Sequence, residues 1–155
     1  MVPVSIQAAR TLVNFHNAAY VLFCSHRHNP WQYKTFAKAL QMPNSVIAVV
    51  NNELAGYVLV SELVGEIEIE DICVLPAFRN EGIASKMLCH IIEQAEKNGT
   101  DYIFLEVASC NSEARALYEK TGFEIISVRK QYYSLANNKF DDAILMRRSI
   151  VSKKS

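Results

Sequence analysis

A mixed α/β (α+β) architecture is expected of this chain: a mostly antiparallel central sheet with helices on both faces. Three features lead there. The chain has 155 residues, half of them hydrophobic and 21% charged, which is enough apolar material for one domain-sized core. Segments of helical period alternate with segments of period two, in the order β-α-α-β-β-β-α-β-α-β-β. No internal repeat, low-complexity tract or linker interrupts them, so residues 1–149 read as one domain and 150–155 as a basic tail.

Residues 2–7 read as a short strand. Leu12, Phe15, Ala19 and Leu22 recur at helical spacing, and His26-Arg27-His28-Asn29-Pro30 breaks that helix. A second helix starts near Trp31 and ends before Pro43. Val46–Val50 is a β-branched run, Asn51-Asn52 is a hairpin signal, and residues 54–62 supply the partner strand. In Glu66–Val74 acidic residues alternate with Ile, and Pro76 ends the strand. Ile83, Met87, Leu88, Ile91, Ile92 and Ala95 form a helical stripe closed by Asn98-Gly99. Residues 102–107 form a strand, and Asn111 or Ser112 caps a short helix ending at Gly122. Residues 123–129 and 143–147 are the last two strands.

Composition excludes several classes of function. Sixteen Lys plus Arg balance sixteen Asp plus Glu, so the basic excess of a general nucleic-acid binder is absent. No apolar run approaches the roughly 20 residues that span a bilayer, and the first ten residues do not resemble a signal peptide. Cys24, Cys73, Cys89 and Cys110 form no C-x-x-C pair, and scattered cysteines of this kind suit reduced thiols in a cytosol. The expectation is a cytoplasmic protein, a monomer or weak dimer, with no direct contact to nucleic acid or membrane.

Two segments carry chemistry. In Val74-Leu75-Pro76-Ala77-Phe78-Arg79-Asn80-Glu81-Gly82-Ile83-Ala84-Ser85 a strand gives way to a polar loop and then to a helix opening at Gly-x-Ala. Small residues there let a ligand approach the backbone, and the first amides of a helix are orphan donors that suit a pyrophosphate. Taken alone, the segment reads first as an ordinary turn into a helix, with the anion site as the other reading. It is neither a Walker loop nor a complete dinucleotide fingerprint. In the second segment Tyr102, Phe104 and Glu106 share one strand face. A carboxylate beside two aromatic residues is expected to be partly desolvated, with a raised pKa that suits a base. The other reading of Glu106 is a strand-end residue reaching solvent.

Together the segments resemble the GNAT family of N-acetyltransferases. Arg79-x-x-Gly82-x-Ala84 resembles its acyl-CoA pyrophosphate motif, and 111–123 resembles its block N-x-x-A-x-x-L-Y-x-x-x-G-F at every fixed position. The resemblance covers about 5–146 and implies the GNAT fold. Asn29-Pro30-Trp31, Leu105-Glu106-Val107, Arg129-Lys130-Gln131-Tyr132-Tyr133 and Asp142-Ala143-Ile144-Leu145-Met146 are similar, more narrowly, to the RimI-type ribosomal-protein alanine N-acetyltransferases. That group implies acetyl transfer from acetyl-CoA to the N-terminal amine of a small-subunit ribosomal protein, without a metal. It implies Glu106 as proton acceptor and Tyr118 as proton donor. It implies that Ile72, Cys73 and Val74, the loop Arg79, Asn80, Glu81, Gly82, Ile83, Ala84 and Ser85, and Asn111 hold acetyl-CoA. Trp31, Tyr132 and Tyr133 are the expected walls of a peptide groove. Two positions depart from the pattern: Ala108 replaces the usual Arg and Cys110 the usual Ser. Losing a cation on the face of Glu106 is expected to raise that carboxylate's pKa.

The reaction suits an α-amine, whose pKa of about 7.7–8.0 makes deprotonation at pH 7 roughly 3 kcal/mol easier than for lysine. An acetyltransferase acting on a small amine or lysine, and a CoA-binding domain without turnover, are the alternatives. His26 and His28, with no carboxylate or thiol cluster nearby in sequence, are not expected to bind metal. Cys110, without a His partner in sequence, is expected to be a small apolar filler rather than a nucleophile. Glu66, Glu68 and Glu70 read either as a solvated face or as an acidic lip that attracts a cationic amine.

Overall fold

The computed structural model describes residues 3–134 and 140–151. Strand β1 (Ser5–Ala8) leads through two short 3-10 turns, Ala9–Thr11 and Val13–Phe15, into α1 (His16–His26) and α2 (Tyr33–Leu40). Strands β2 (Val46–Val50), β3 (Glu53–Leu63) and β4 (Glu66–Val74) follow as a meander, then α3 (Ile83–Asn98), β5 (Tyr102–Ala108), α4 (Ser112–Lys120), β6 (Glu124–Ser134) and β7 (Phe140–Ser149). The seven strands form one sheet in the order β1-β2-β3-β4-β5-β7-β6. Among the described residues β4 and β5 are the parallel pair, joined by the α3 crossover, and the other pairings are antiparallel.

Local chemistry explains the element boundaries. Asn51 and Asn52 both take positive φ, 50° and 63°, as a two-residue hairpin with the primed twist requires. The first helix starts later than its apolar spacing suggests, because the 3-10 turns occupy residues 9–15. The last two strands run longer than expected, since register shifts between Ile125 and Ser127 and between Arg129 and Tyr133 blur their alternation. Ile150, assigned to the tail by sequence, packs on the core and donates its N–H to the Asp101 carbonyl at 2.9 Å.

Two apolar clusters sandwich the sheet. Met87, Leu88, Ile91 and Ala95 of α3 pack with Tyr118 of α4 on Val58, Ile67, Ile69, Ile103, Leu105 and Met146. On the other face Phe23 of α1 and Phe36 of α2 pack on Ile47, Tyr57, Leu59 and Cys73. Burying side chains of this size contributes roughly 1.5–3 kcal/mol each against leaving them exposed. Gly56 sits where β3 closes on β4: a Cβ there would lie 2.6 Å from the Cys73 carbonyl oxygen, so a side chain would push the strands apart.

The feature that makes a site is a split in the sheet. The β4–β5 register runs from Glu66↔Tyr102 to Ile69↔Leu105 and stops. There β4 carries a bulge: Val60 faces Ile69 while Leu59 faces Asp71, leaving Glu70 as the extra residue. The bulge exchanges the faces of β4. Ile67 and Ile69 lie in the α3 cluster, whereas Cys73 lies in the α1–α2 cluster.

Candidate active site

Beyond Ile69 the two strands diverge, and the opening forms a channel in three connected parts. A cavity of about 460 Å³ lies at the start of α3, lined by Arg79, Asn80, Gly82, Ala84, Ser85 and Lys120 among others. A second, about 400 Å³, runs between β4 and α4 past Ile72, Val74, Asn111, Leu117 and Tyr118. A third, about 420 Å³, lies between β4 and β5 and reaches Glu70, Asp71, Glu106 and Ala108. The first two share Val74 and Ala84, and the second and third share His26, Ile72, Asn111 and Tyr118.

At the α3 end, Gly82 has φ 76° and is the N-cap, with no side chain capping the helix. The amides of Ile83, Ala84 and Ser85 therefore keep their orphan status at the positive end of the dipole. A Cβ on Gly82 would meet nothing within 4 Å, so the space above the loop is open to a ligand. Asn80 also takes positive φ, 64°, and the exposed Arg79 folds back so that its Nε donates to the Val74 carbonyl at 3.3 Å. Glu81 is exposed in the same loop. These donors and this clearance fit a pyrophosphate.

Along β4 the backbone supplies the polar groups. The Leu75 N–H donates to the Ala55 carbonyl at 2.7 Å, towards β3. Strand alternation then points the Cys73 amide to β3 as well, and the Ile72 and Val74 amides into the opening. Cys73 presents its side chain to the α1–α2 core instead.

Glu106 and Tyr118 meet in the third cavity. Glu106 is exposed, whereas Tyr102 and Phe104, on the same strand face, are half-buried with ring centroids 5.9 Å apart. Tyr118 is 6% exposed, and burial, with the negative charge of Asp71, pushes its phenol up to about 12. It stays protonated across the physiological range. Glu68, on the strand beside them, has its carboxyl raised by burial and by the charges of Glu70 and Glu106. The acidic residues of β4 are thus coupled electrostatically to Glu106; Glu66 and Glu68 reach solvent, and the half-buried Glu70 accepts a hydrogen bond from the Ser61 hydroxyl at 2.8 Å.

Asn111 takes on two tasks. Its side chain caps α4, accepting from the Ala114 N–H at 3.3 Å, and it lines both inner cavities. Cys110, expected as an apolar filler, is exposed. Its N–H donates to Asp141 at 2.8 Å, and the same carboxylate raises the thiol's pKa, which opposes a nucleophilic role. Trp31 packs beside Phe23 with Arg27 against its ring and is not among the residues lining the three cavities. Tyr132 is half exposed under Arg129, 4.4 Å from the guanidinium. The side chain of Tyr133 lies outside the described residues.

Sequence reading missed a polar cluster on the wall between the second and third cavities. His26 Nε2 lies 3.1 Å from Asp71 Oδ2 and 3.0 Å from the Tyr57 hydroxyl, which itself donates to Asp71 Oδ2 at 2.6 Å. The one available signal was the broken alternation at Glu70-Asp71 in an otherwise regular Glu-Ile strand. Among the described residues no three His, Cys, Asp or Glu side chains gather as a metal site, and no helix is long and apolar enough to cross a membrane.

Comparison with known proteins places the chain in a family and matches its fold. The sequence model of the Acetyltransferase (GNAT) family matches residues 11–123. The [Ribosomal protein bS18]-alanine N-acetyltransferase of Escherichia coli is 31% identical over 118 residues, covering 76% of this chain and 79% of that protein. Its counterpart in Haemophilus influenzae is 32% identical over 98 residues, covering 63% and 66%. The crystal structure of the Escherichia coli ribosomal-protein-S18-alanine N-acetyltransferase superposes with a TM-score of 0.86 at 28% identity, over 99% of this chain and 97% of that one. Arabidopsis thaliana Naa50, solved with a bisubstrate analogue of CoA and a peptide, shares the fold with a TM-score of 0.79 at 24% identity, over 96% and 100%.

Proposed function

The chain belongs to the GNAT family and is an acetyl-CoA-dependent N-acetyltransferase, and from that premise we propose that it acetylates the α-amine of a protein. The substrate we infer is a small-subunit ribosomal protein with N-terminal alanine, as the name of the Escherichia coli relative suggests, and we place the reaction in the cytoplasm, which suits the scattered unpaired cysteines. The observation that carries the reading is the meeting of Glu106 and Tyr118 where β4 and β5 part, on a channel that continues to the start of α3.

Each part of the channel then has a task. The Ile83, Ala84 and Ser85 amides hold the pyrophosphate of acetyl-CoA, and Arg79, Asn80, Glu81 and Gly82 shape the loop around it. The Ile72 and Val74 amides face the thioester, where a backbone donor stabilises the oxygen as it gains charge. Glu106 takes a proton from the attacking amine, directly or through one water. Tyr118 donates a hydrogen bond to the departing sulfur. A complete proton transfer from a phenol at about 12 to a thiol near 8.5 is uphill by roughly 3.5 units, so the phenol stabilises the thiolate and solvent completes its protonation.

The test is direct. The protein, acetyl-CoA and a panel of synthetic peptides with alanine, serine or methionine first, each containing an internal lysine, are incubated and fragmented by mass spectrometry. Acetyl groups on the first residue, fastest for alanine, are expected. Acetylation concentrated on lysine side chains would overturn the proposal.

A further inference from the structure

The His26–Asp71–Tyr57 cluster has no part in the mechanism above, yet it stands on the wall that the inner cavities share. His26 ends α1, and its side chain is 30% exposed while that of Asp71 is 9% exposed. Both contacts of His26 within the cluster use Nε2. The Tyr57 hydroxyl spends its own proton on Asp71, so Nε2 carries hydrogen and donates to the two oxygens. A carboxylate held this way fixes the tautomer and orientation of an imidazole. The titrating nitrogen is then Nδ1.

Resting on the Nα-acetylation reading above, we propose that His26 selects α-amines over side-chain amines by donating its Nδ1–H to the carbonyl of the acceptor's first residue. In a peptide that carbonyl carbon lies two bonds from the attacking nitrogen; beside a lysine ε-amine there is none. An amine set against Glu106 therefore brings its own carbonyl into the cavity that His26 lines. The ring is held ready for donation. Asp71, and after it Cys73, raise its pKa to about 9 against the opposing effect of burial. Nδ1 thus carries a proton at neutral pH. The other ionisable groups lining the same walls are Arg27 on its own segment, Glu70 beside Asp71 on β4, Glu106 on β5 and Tyr118 on α4. A cation at this point complements the neighbouring carboxylates.

Two substitutions separate this role from anchoring of α1. His26→Asn keeps a donor near the position of Nδ1 and loses the arm to Asp71. His26→Gln reaches Asp71 but offers nothing at Nδ1. The readout is the ratio of kcat/KM for an alanine-first peptide to that for an alkylamine of matched pKa without a carbonyl, with melting temperature and acetyl-CoA affinity measured alongside. We expect the ratio to fall about tenfold or more in His26→Gln, through KM, and to stay within about threefold of wild type in His26→Asn, given the usual worth of a hydrogen bond from a charged donor. A ratio kept in His26→Gln, or lost in His26→Asn, would overturn the assignment. A wild-type enzyme that does not favour the peptide overturns the Nα reading itself, and that result is visible before any substitution is made.

Discussion

The different roles proposed for Glu106 and Tyr118 follow from their surroundings. One is exposed on β5 and the other is buried on the core-facing side of α4. Glu106→Gln keeps the shape and loses the base, so kcat should fall roughly 10²–10⁴-fold with acetyl-CoA affinity unchanged; stopped-flow kinetics with calorimetry checks both. Tyr118→Phe should cost less, about tenfold to a hundredfold, because the phenol gives a hydrogen bond rather than its proton. The His26–Asp71 pair also predicts a pH signature in stability. The folded pKa of about 9 lies above the unfolded value of 6.5. The pair therefore stabilises fully below pH 6.5, and its contribution is lost as pH rises through about 9. Urea unfolding between pH 6 and 10 should show that decline in the wild type and not in His26→Gln. Strand alternation places Glu106, and the family motif places Tyr118, so both could be singled out as candidates in sequence. The histidine cluster was not, since its members lie 31, 45 and 14 residues apart and only the folded sheet brings them together.

At the scale of elements the site is made by β4 and by the first turn of α3. The Glu-Ile alternation of β4 and the apolar stripe of α3 were readable, and the boundaries Glu66–Val74 and Ile83–Asn98 follow from them. The bulge at Glu70 was written only as a break in alternation, which by itself does not say which way a strand turns. Burial of Tyr118 and exposure of Glu106 depend on how α4 lies over the opening, a tertiary outcome that neither segment encodes alone. The helix start makes a sharper claim. Gly82→Asp places a carboxylate where orphan amides wait for an anion, at a φ of 76° that aspartate tolerates better than most residues. Acetyl-CoA affinity measured by calorimetry should fall at least tenfold, while circular dichroism keeps the wild-type spectrum. Unchanged affinity would remove this loop from the cofactor site.

The whole molecule is two half-sheets sharing a short seam. Element order and the two-sided helical cover were legible because hydrophobic period is a local property, whereas the pairing β5-β7-β6 and the length of the seam are not. Four register pairs, Glu66↔Tyr102 to Ile69↔Leu105, close that seam before the strands part. An open seam has a consequence in time rather than in shape. Ile72 and Val74 carry amides with no strand partner on the β5 side, so in the free protein they should exchange with deuterated water far sooner than Ile103 or Leu105 nearby. In the cofactor placement proposed above, acetyl-CoA laid along β4 takes the place of the missing strand. Exchange at Ile72 and Val74 should then slow while the seam itself changes little, and the melting temperature should climb with cofactor concentration as mass action requires. On that proposal the sheet is completed by its own cofactor each time the enzyme loads, and is left open again each time the spent thiol leaves.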